Sequence, residues 1–417
     1  MRWLAWLLLA VGAGACAGDP PSSLTFTASG LGAEADVVRA QLARFAAQHP
    51  GVEVELRVTP DAADQRHQLY VQWLNARAQD PDVLQLDIIW TAEFAGAGWI
   101  RPIDEYGADA SDFFPAAIES NRWRGALYAL PWFVDVGLLY WRTDLMPTPP
   151  RSLDALRDAA LRSIETRETR WGLAWQGARY EGLVTVFVEH LGAFGGGILD
   201  TTGKVIVDQP AAVQALTFMR QSIENGMVPP SSLTWQEEQV RFAFQNGQSA
   251  FMRNWPYAWA LLRDPAQSRV AGRVGVAPFP AAAGGRATAA LGGAQLAINA
   301  FSDRPELAWE LVEFLTAPDQ MLERARVAAQ LPSRPSLYDS PELARALDMP
   351  LQDVRDAVNA AVPRPVTPVY SELSELLQVH LHRALTGQQT PEDSLNRAAV
   401  EIRHLLARSG LHGEAGR

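Results

Sequence analysis

Between residues 24 and 90 the chain alternates short extended apolar runs with helical ones, and that order restricts it to a sheet covered by helices. Residues 24–28 read as a strand. Residues 34–49 place Val38, Leu42 and Phe45 on one helical face before Pro50 and Gly51 end the run. Val52, Val54, Leu56 and Val58 alternate as a half-buried strand, and residues 61–79 form a polar helix around Leu69 and Trp73. Residues 83–90 are a near-continuous apolar run broken by Gln85 and Asp87, as in a strand buried on both faces. The β-α-β-α-β order predicts an α/β lobe with a largely parallel sheet. At 417 residues the chain is too long for one ordinary core, so two lobes are expected.

Residues 125–142 form the hinge of this reading. Two β-favouring runs flank Pro131, Trp132, Phe133 and Asp135. Proline rarely sits inside a central strand, so the stretch predicts strand, crossing, strand, with Trp132, Phe133 and Asp135 exposed at the crossing. An apolar face beside a fixed acceptor suits a sugar, which has C–H faces and a rim of hydroxyls. Further on the same grammar resumes, with helices over 152–166, 180–194, 210–225 and 236–245 and strands over 171–175, 249–252, 274–277 and 294–298. Residues 341–347, 351–361, 371–385 and 391–406 read as helices.

The formal net charge of −11 argues against nucleic acid as a partner, because phosphate binding needs a basic surface. Seven scattered His, with His380 and His382 only two apart, do not converge on a zinc site, and Gly195–Gly197 lacks the Lys-Ser/Thr of a phosphate loop. No cofactor is implied. Fourteen Trp exceed eight Tyr, so some of the indoles are expected to serve a ligand. At the N-terminus Arg2, a short apolar run and Gly12-Ala13-Gly14-Ala15 precede Cys16, the only cysteine in the sequence. Residues 1–16 read as a targeting segment too short to span a bilayer, and residues 17–23 as a tether. The position of Cys16 resembles a bacterial lipobox with Ala13 where Leu is usual; the alternative is an ordinary secretory signal with an incidental Cys. Lipidation would anchor the protein to the outer face of a membrane, in the periplasm or at the cell surface.

Six segments occur in an order that resembles the extracellular solute-binding proteins (family 1) of ABC importers, in particular the trehalose/maltose-binding branch. They begin at Leu86-Asp87-Ile88-Ile89-Trp90, Leu130-Pro131-Trp132, Phe251-Met252-Arg253-Asn254-Trp255, Leu291-Gly292-Gly293, Leu331-Pro332-Ser333-Arg334 and Pro363-Arg364-Pro365. The resemblance implies a two-lobed periplasmic-binding-protein-like α/β fold (type II, maltose-binding-protein-like) with a ligand cleft between the lobes. The first lobe is expected at 24–132 plus 296–340, the second at 133–295 plus 341–410, with 411–417 a tail. It further implies a monomeric, non-enzymatic protein that binds a disaccharide or short oligosaccharide and hands it to ABC permease subunits.

Asp135 matches a sugar-binding carboxylate of the branch, though a solvated turn residue would read the same. Asp87, near the end of its strand, either faces the crevice or is a paired buried charge. Trp255 resembles the stacking aromatic, with core packing as the alternative, and Tyr257 lies beside it. Arg364, held extended between two prolines, either forks onto hydroxyls or braces a carboxylate such as Asp135. Glu34 resembles a hydroxyl acceptor but equally complements a helix dipole; Glu237 or Glu238 is the next candidate acceptor. Phe133 stands where the branch often has Tyr, and Ala294 stands after Gly292-Gly293 where a Trp is common. Either the ligand is bulkier there, or Trp90 or Trp132 compensates for the missing wall; Gly293 is a further candidate contact. Two other functions fit parts of the pattern: a glycoside hydrolase with Asp87 and Asp135 as its carboxylates, and a binding protein for another solute such as a glycerol phosphodiester.

Overall fold

The computed structural model describes residues 22–411. Within them thirteen strands occur: β1 (Ser22–Ser29), β2 (Val52–Thr59), β3 (Val83–Asp87), β4 (Arg122–Trp123), β5 (Ala126–Leu127), β6 (Ala129–Val136), β7 (Leu138–Arg142), β8 (Trp171–Ala174), β9 (Ser249–Asn254), β10 (Val274–Pro278), β11 (Ala289–Ile298), β12 (Leu331–Pro332) and β13 (Ala361–Val362). One sheet has the order β12-β6-β11-β3-β1-β2, with β13 added to β11. A second has the order β10-β7-β9-β8, and β4 and β5 form a separate hairpin.

The first three strands are parallel as their sequence order predicts, but β11 runs antiparallel to both β3 and β6. The sheet is therefore mixed, because a strand from late in the chain returns through its middle. The apolar run over 83–90 is not all strand. β3 stops at Asp87, and Thr91–Gly96 is a short helix. Ile88 and Trp90 are still buried, in helix–sheet packing and not in the sheet itself.

The predicted break at Pro131 also moves. β6 runs unbroken from Ala129 to Val136, with Pro131 at a register irregularity between Ala294 and Gln295 of β11. A bulge tolerates a missing N–H, and the Pro131 carbonyl accepts a bond from the Ser333 hydroxyl at 2.8 Å. The passage to the second sheet falls at Gly137. A Cβ there would sit 1.7 Å from a Glu189 oxygen and 2.7 Å from the Arg253 guanidinium, so only glycine lets the chain pass this buried ion pair.

Each sheet carries helices. Glu34–Gln48 and Pro305–Leu315 pack against the first; Leu153–Glu165, Glu181–Ala193 and Tyr370–Leu385 join the core of the second. All thirteen residues of Glu181–Ala193 are buried, its Glu181 and Glu189 paired with Arg364 and Arg253. Pro318–Ala328, a further helix, ends beside β12 and carries the buried Arg324. Among the described residues no helix is long and apolar enough to cross a membrane. Cys16 lies outside them.

Candidate functional site

A cavity opens where the ends of β3 and β6, the middle of β11 and three helix starts meet. It encloses about 840 Å³ of empty space, the solvent at its mouth included. Side chains on a strand alternate between faces, so Phe133 and Asp135 of β6 face the cavity together, as do Gln85 and Asp87 of β3. Gly292, Gly293 and Ala294 of β11 form the floor. Glu34, Tyr180, Glu181 and Glu237 come from helix starts, and Trp255 and Tyr257 from the turn after β9. Arg364 enters from the Pro363–Pro365 strap.

Nine of the candidates read from the sequence thus line one cavity: Glu34, Asp87, Phe133, Asp135, Glu237, Trp255, Tyr257, Gly293 and Arg364. Trp132 and Trp90 do not. Trp132 alternates to the other face of β6, wholly buried, edge-on to Phe26 at 5.4 Å and under the Arg324 guanidinium. Trp90 is 2% exposed and stacked with Phe94 in a satellite core. Neither supplies the aromatic wall expected opposite Ala294.

Sequence reasoning missed Ser29, Asp61, Arg66, Gln85, Tyr180, Glu181 and Gln330, which also line the cavity. Gln85 was within reach, since it interrupts the same apolar run as Asp87 at the same two-residue phase. Glu181 was not: its partners are far away in sequence. Arg364 donates to Glu181 at 2.6 Å and to Asp87 at 3.0 Å, so it braces that pair and not Asp135. Glu181 also accepts from the Tyr370 hydroxyl at 2.8 Å and from the Ser374 hydroxyl. Glu34 accepts from Ser29 at 2.8 Å and from Gln85 at 2.9 Å. Glu237 accepts the Trp255 indole N–H at 3.4 Å, which orients the ring; the Arg253 guanidinium lies 3.9 Å from the ring centroid, and Gly292 lies near the edge of the six-membered ring. Tyr257 donates to Glu238 at 2.7 Å and rests on Gly32.

Among the described residues the Asp135 carboxylate has no hydrogen-bond donor, and the buried Tyr180 hydroxyl has no partner. Burial, followed by the nearby charges of Glu34 and Asp87, raises Asp135 well above the usual carboxyl range. Burial likewise raises Glu34, Glu181 and Glu237. Six carboxyl groups and only two guanidinium groups line the cavity, and one of the two, Arg364, is already committed to Glu181 and Asp87. The site accepts hydrogen bonds and is poorly suited to anions.

This set of raised carboxyls fixes the sign of a pH effect. A carboxyl raised in the folded state stabilises the fold fully below its unfolded value, here 3.8 for Asp and 4.5 for Glu, and loses that contribution as pH rises through the folded value. Asp61 and Asp64 belong to the same group. His190, lowered from 6.5 to about 4 by burial, acts oppositely and costs stability as pH falls below 6.5. The carboxyl contribution of the unliganded protein should therefore fall as pH rises from about 4.5, and Asp135→Asn, which removes the most strongly raised of them, should lose less melting temperature over that rise than wild type, by calorimetry in matched ionic strength. An equal pH dependence in the two proteins would mean that the Asp135 carboxyl is not desolvated.

The family model of the bacterial extracellular solute-binding proteins matches residues 29–322. A probable ABC transporter-binding protein of Deinococcus radiodurans is 34% identical over 400 residues, covering 93% of this chain and 94% of that protein. A maltotriose-binding protein of Pyrococcus abyssi is 25% identical over 344 residues, covering 80% and 71%. The structure of maltose-bound MalE3 of T. maritima superposes with a TM-score of 0.88 at 42% identity, covering 92% of this chain and 100% of that one. The fold is the two-lobed α/β arrangement of the maltose-binding proteins.

Proposed function

The chain belongs to the bacterial extracellular solute-binding protein family, and on that premise we propose that its cavity takes a glucose-containing disaccharide or short oligosaccharide of the maltose or trehalose type and passes it to an ABC permease. The observation that carries this reading is the pairing of an unpartnered, enclosed carboxylate with an oriented indole: Asp135 accepts hydroxyls while Trp255 offers its ring to a sugar C–H face. The relatives named for maltose and maltotriose support the same class. The family binds and does not cleave its solutes, so the hydrolase alternative is set aside. The excess of carboxylates over free cations disfavours a phosphodiester.

In this proposal the lobes follow the two halves read from the sequence, 24–132 with 296–340 and 133–295 with 341–410, except that the first boundary moves to Gly137 and the second to the start of β11, because β6 and β11 both belong to the first sheet. They close over the sugar about crossings that include Gly137. Lipidation at Cys16 is part of the proposal, and mass spectrometry of the mature N-terminus tests it. The functional test is calorimetric titration with maltose, maltotriose and trehalose, and with glycerophosphocholine as the non-sugar control. Trp255→Ala should weaken the best sugar by about 10–100-fold, the stacking and burial of one aromatic face being worth roughly 1.5–3 kcal/mol. Trp255→Phe should recover part of that loss. Heat with glycerophosphocholine and none with any sugar would overturn the reading.

A further inference from the structure

Behind the cleft wall formed by β6 lies a cation that the sugar would never touch. Arg324, on the helix Pro318–Ala328, is 1% exposed. Its guanidinium lies 3.4 Å from the Trp132 ring centroid and 5.1 Å from that of Phe133. One terminal nitrogen donates to the Gln330 side chain at 2.6 Å, and the other, Nη1, has no partner among the described residues. Arg324 makes no salt bridge there either, whereas Arg253 pairs with Glu189 and Arg364 with Glu181 and Asp87. A buried guanidinium is costly, and the Trp132 face and the Gln330 amide offset that cost only in part, so a charge kept there without an anionic contact calls for a role at longer range.

The geometry points to Arg324 as a positioning residue that, from behind the wall, holds the Glu34 and Asp135 carboxyls in their hydroxyl-accepting form. This rests on the sugar-binding reading above. Phe133, against which the guanidinium lies, and Asp135 share the cleft face of β6, and Gln330, to which Arg324 donates, also lines the cleft. Glu34 and Asp135 are the two anions with which its charge interacts, and Arg324 itself stays cationic at neutral pH, burial lowering it to about 9. The other groups that set these two carboxyls are Arg66 beside Glu34, and Asp87 and Arg253 beside Asp135. Tyr140 and Tyr338, packed near Asp135, remain neutral because burial raises both. Glu34 and then Asp87 oppose ionisation of Asp135, while Arg253 is already neutralised by Glu189. Arg324 is thus the unneutralised positive charge shared by both acceptors.

The consequence is a pH profile. A hydroxyl donates to the ionised carboxylate, so sugar binding releases protons and affinity rises with pH until Glu34 and Asp135 are ionised. Removing the Arg324 charge makes both harder to ionise and moves that rise to higher pH. In Arg324→Met the maltose affinity at pH 7 should fall about tenfold, one pH unit of displacement, and recover toward wild type near pH 9. Arg324→Gln, which keeps a donor for Gln330 without the charge, should do the same, and Arg324→Lys should restore the wild-type profile below pH 8. Carbon NMR of the labelled carboxyls in the sugar-free protein should show Glu34 and Asp135 titrating at higher pH in the Met and Gln variants. A loss of affinity equal at every pH, or carboxyl titrations unmoved in both neutral variants, overturns the proposal. Displaced titrations in a protein whose wild type binds no sugar would sustain the electrostatic role of Arg324 while overturning the sugar-binding reading.

Discussion

Asp135→Asn should weaken maltose binding by about 10²-fold or more at pH 7.5 and, in the same protein, raise the melting temperature of the sugar-free form. Both effects come from one fact: the Asp135 carboxylate is enclosed in the cleft without a donor and beside two further acids, Glu34 and Asp87. A charge held there is destabilising until a ligand supplies hydrogen bonds. A neutral amide of the same shape removes the desolvation and the repulsion, and a gain of roughly 1 kcal/mol would lift the melting temperature of a chain this size by about 1–3 °C. The same exchange removes the charge assistance from two hydroxyl contacts, each worth roughly 1.5–3 kcal/mol, and replaces one acceptor oxygen with a donor. Calorimetric titration and a thermal melt of the two proteins at pH 7.5 decide it. An affinity within threefold of wild type would remove Asp135 from the binding site. Reduced affinity with reduced stability would mean that Asp135 holds the fold and not the sugar.

The features that could be read directly from the chain are those in which one residue breaks a local pattern. Asp87 and Asp135 stand out because each interrupts an apolar β-run, and a carboxylate is rarely spent there without a partner or a ligand. Trp132 shows the limit of that approach. It is next to Phe133 in sequence, and alternation alone requires that the two face opposite ways, so a reading that exposed Trp132, Phe133 and Asp135 together conflicted with the strand period. Pro131 suggests a break at a point where the sheet instead has a bulge. Arg364 is legible as a site residue that either forks onto hydroxyls or braces a carboxylate such as Asp135, but its partners, Glu181 and Asp87, are 183 and 277 residues away, and no local pattern reports a contact at that range. Arg324 left no signal, since an arginine on an amphipathic helix looks like any solvated one until the tertiary packing encloses it.

Gly293→Ala should cost roughly 3 kcal/mol or more of stability and abolish binding, while Gly292→Ala should leave the fold nearly intact and weaken binding about tenfold. The two neighbours differ in what a methyl group would meet. Gly293 has φ of +126°, a region closed to other residues, and its Cβ would stand 2.3 Å from the Phe133 carbonyl oxygen and 2.9 Å from the Val134 Cα. Both obstacles are backbone atoms of β6, which is held by β11 on one side and β12 on the other, so no side-chain rotation relieves the clash. The strand that presents Phe133 and Asp135 must shift, and the acceptor goes with it. At Gly292 the new methyl has ordinary backbone geometry and meets the Trp255 ring at 3.3 Å and the Asp135 Cβ at 3.3 Å. The ring can tilt by a few tenths of an ångström, which preserves the sheet but spoils its alignment with a sugar face. Urea denaturation combined with sugar titration separates the two outcomes. Equal stability losses for both variants would show that the floor of the cleft is a rigid structural unit, whereas an unchanged affinity in Gly292→Ala would show that the Trp255 ring is not the surface on which the sugar rests.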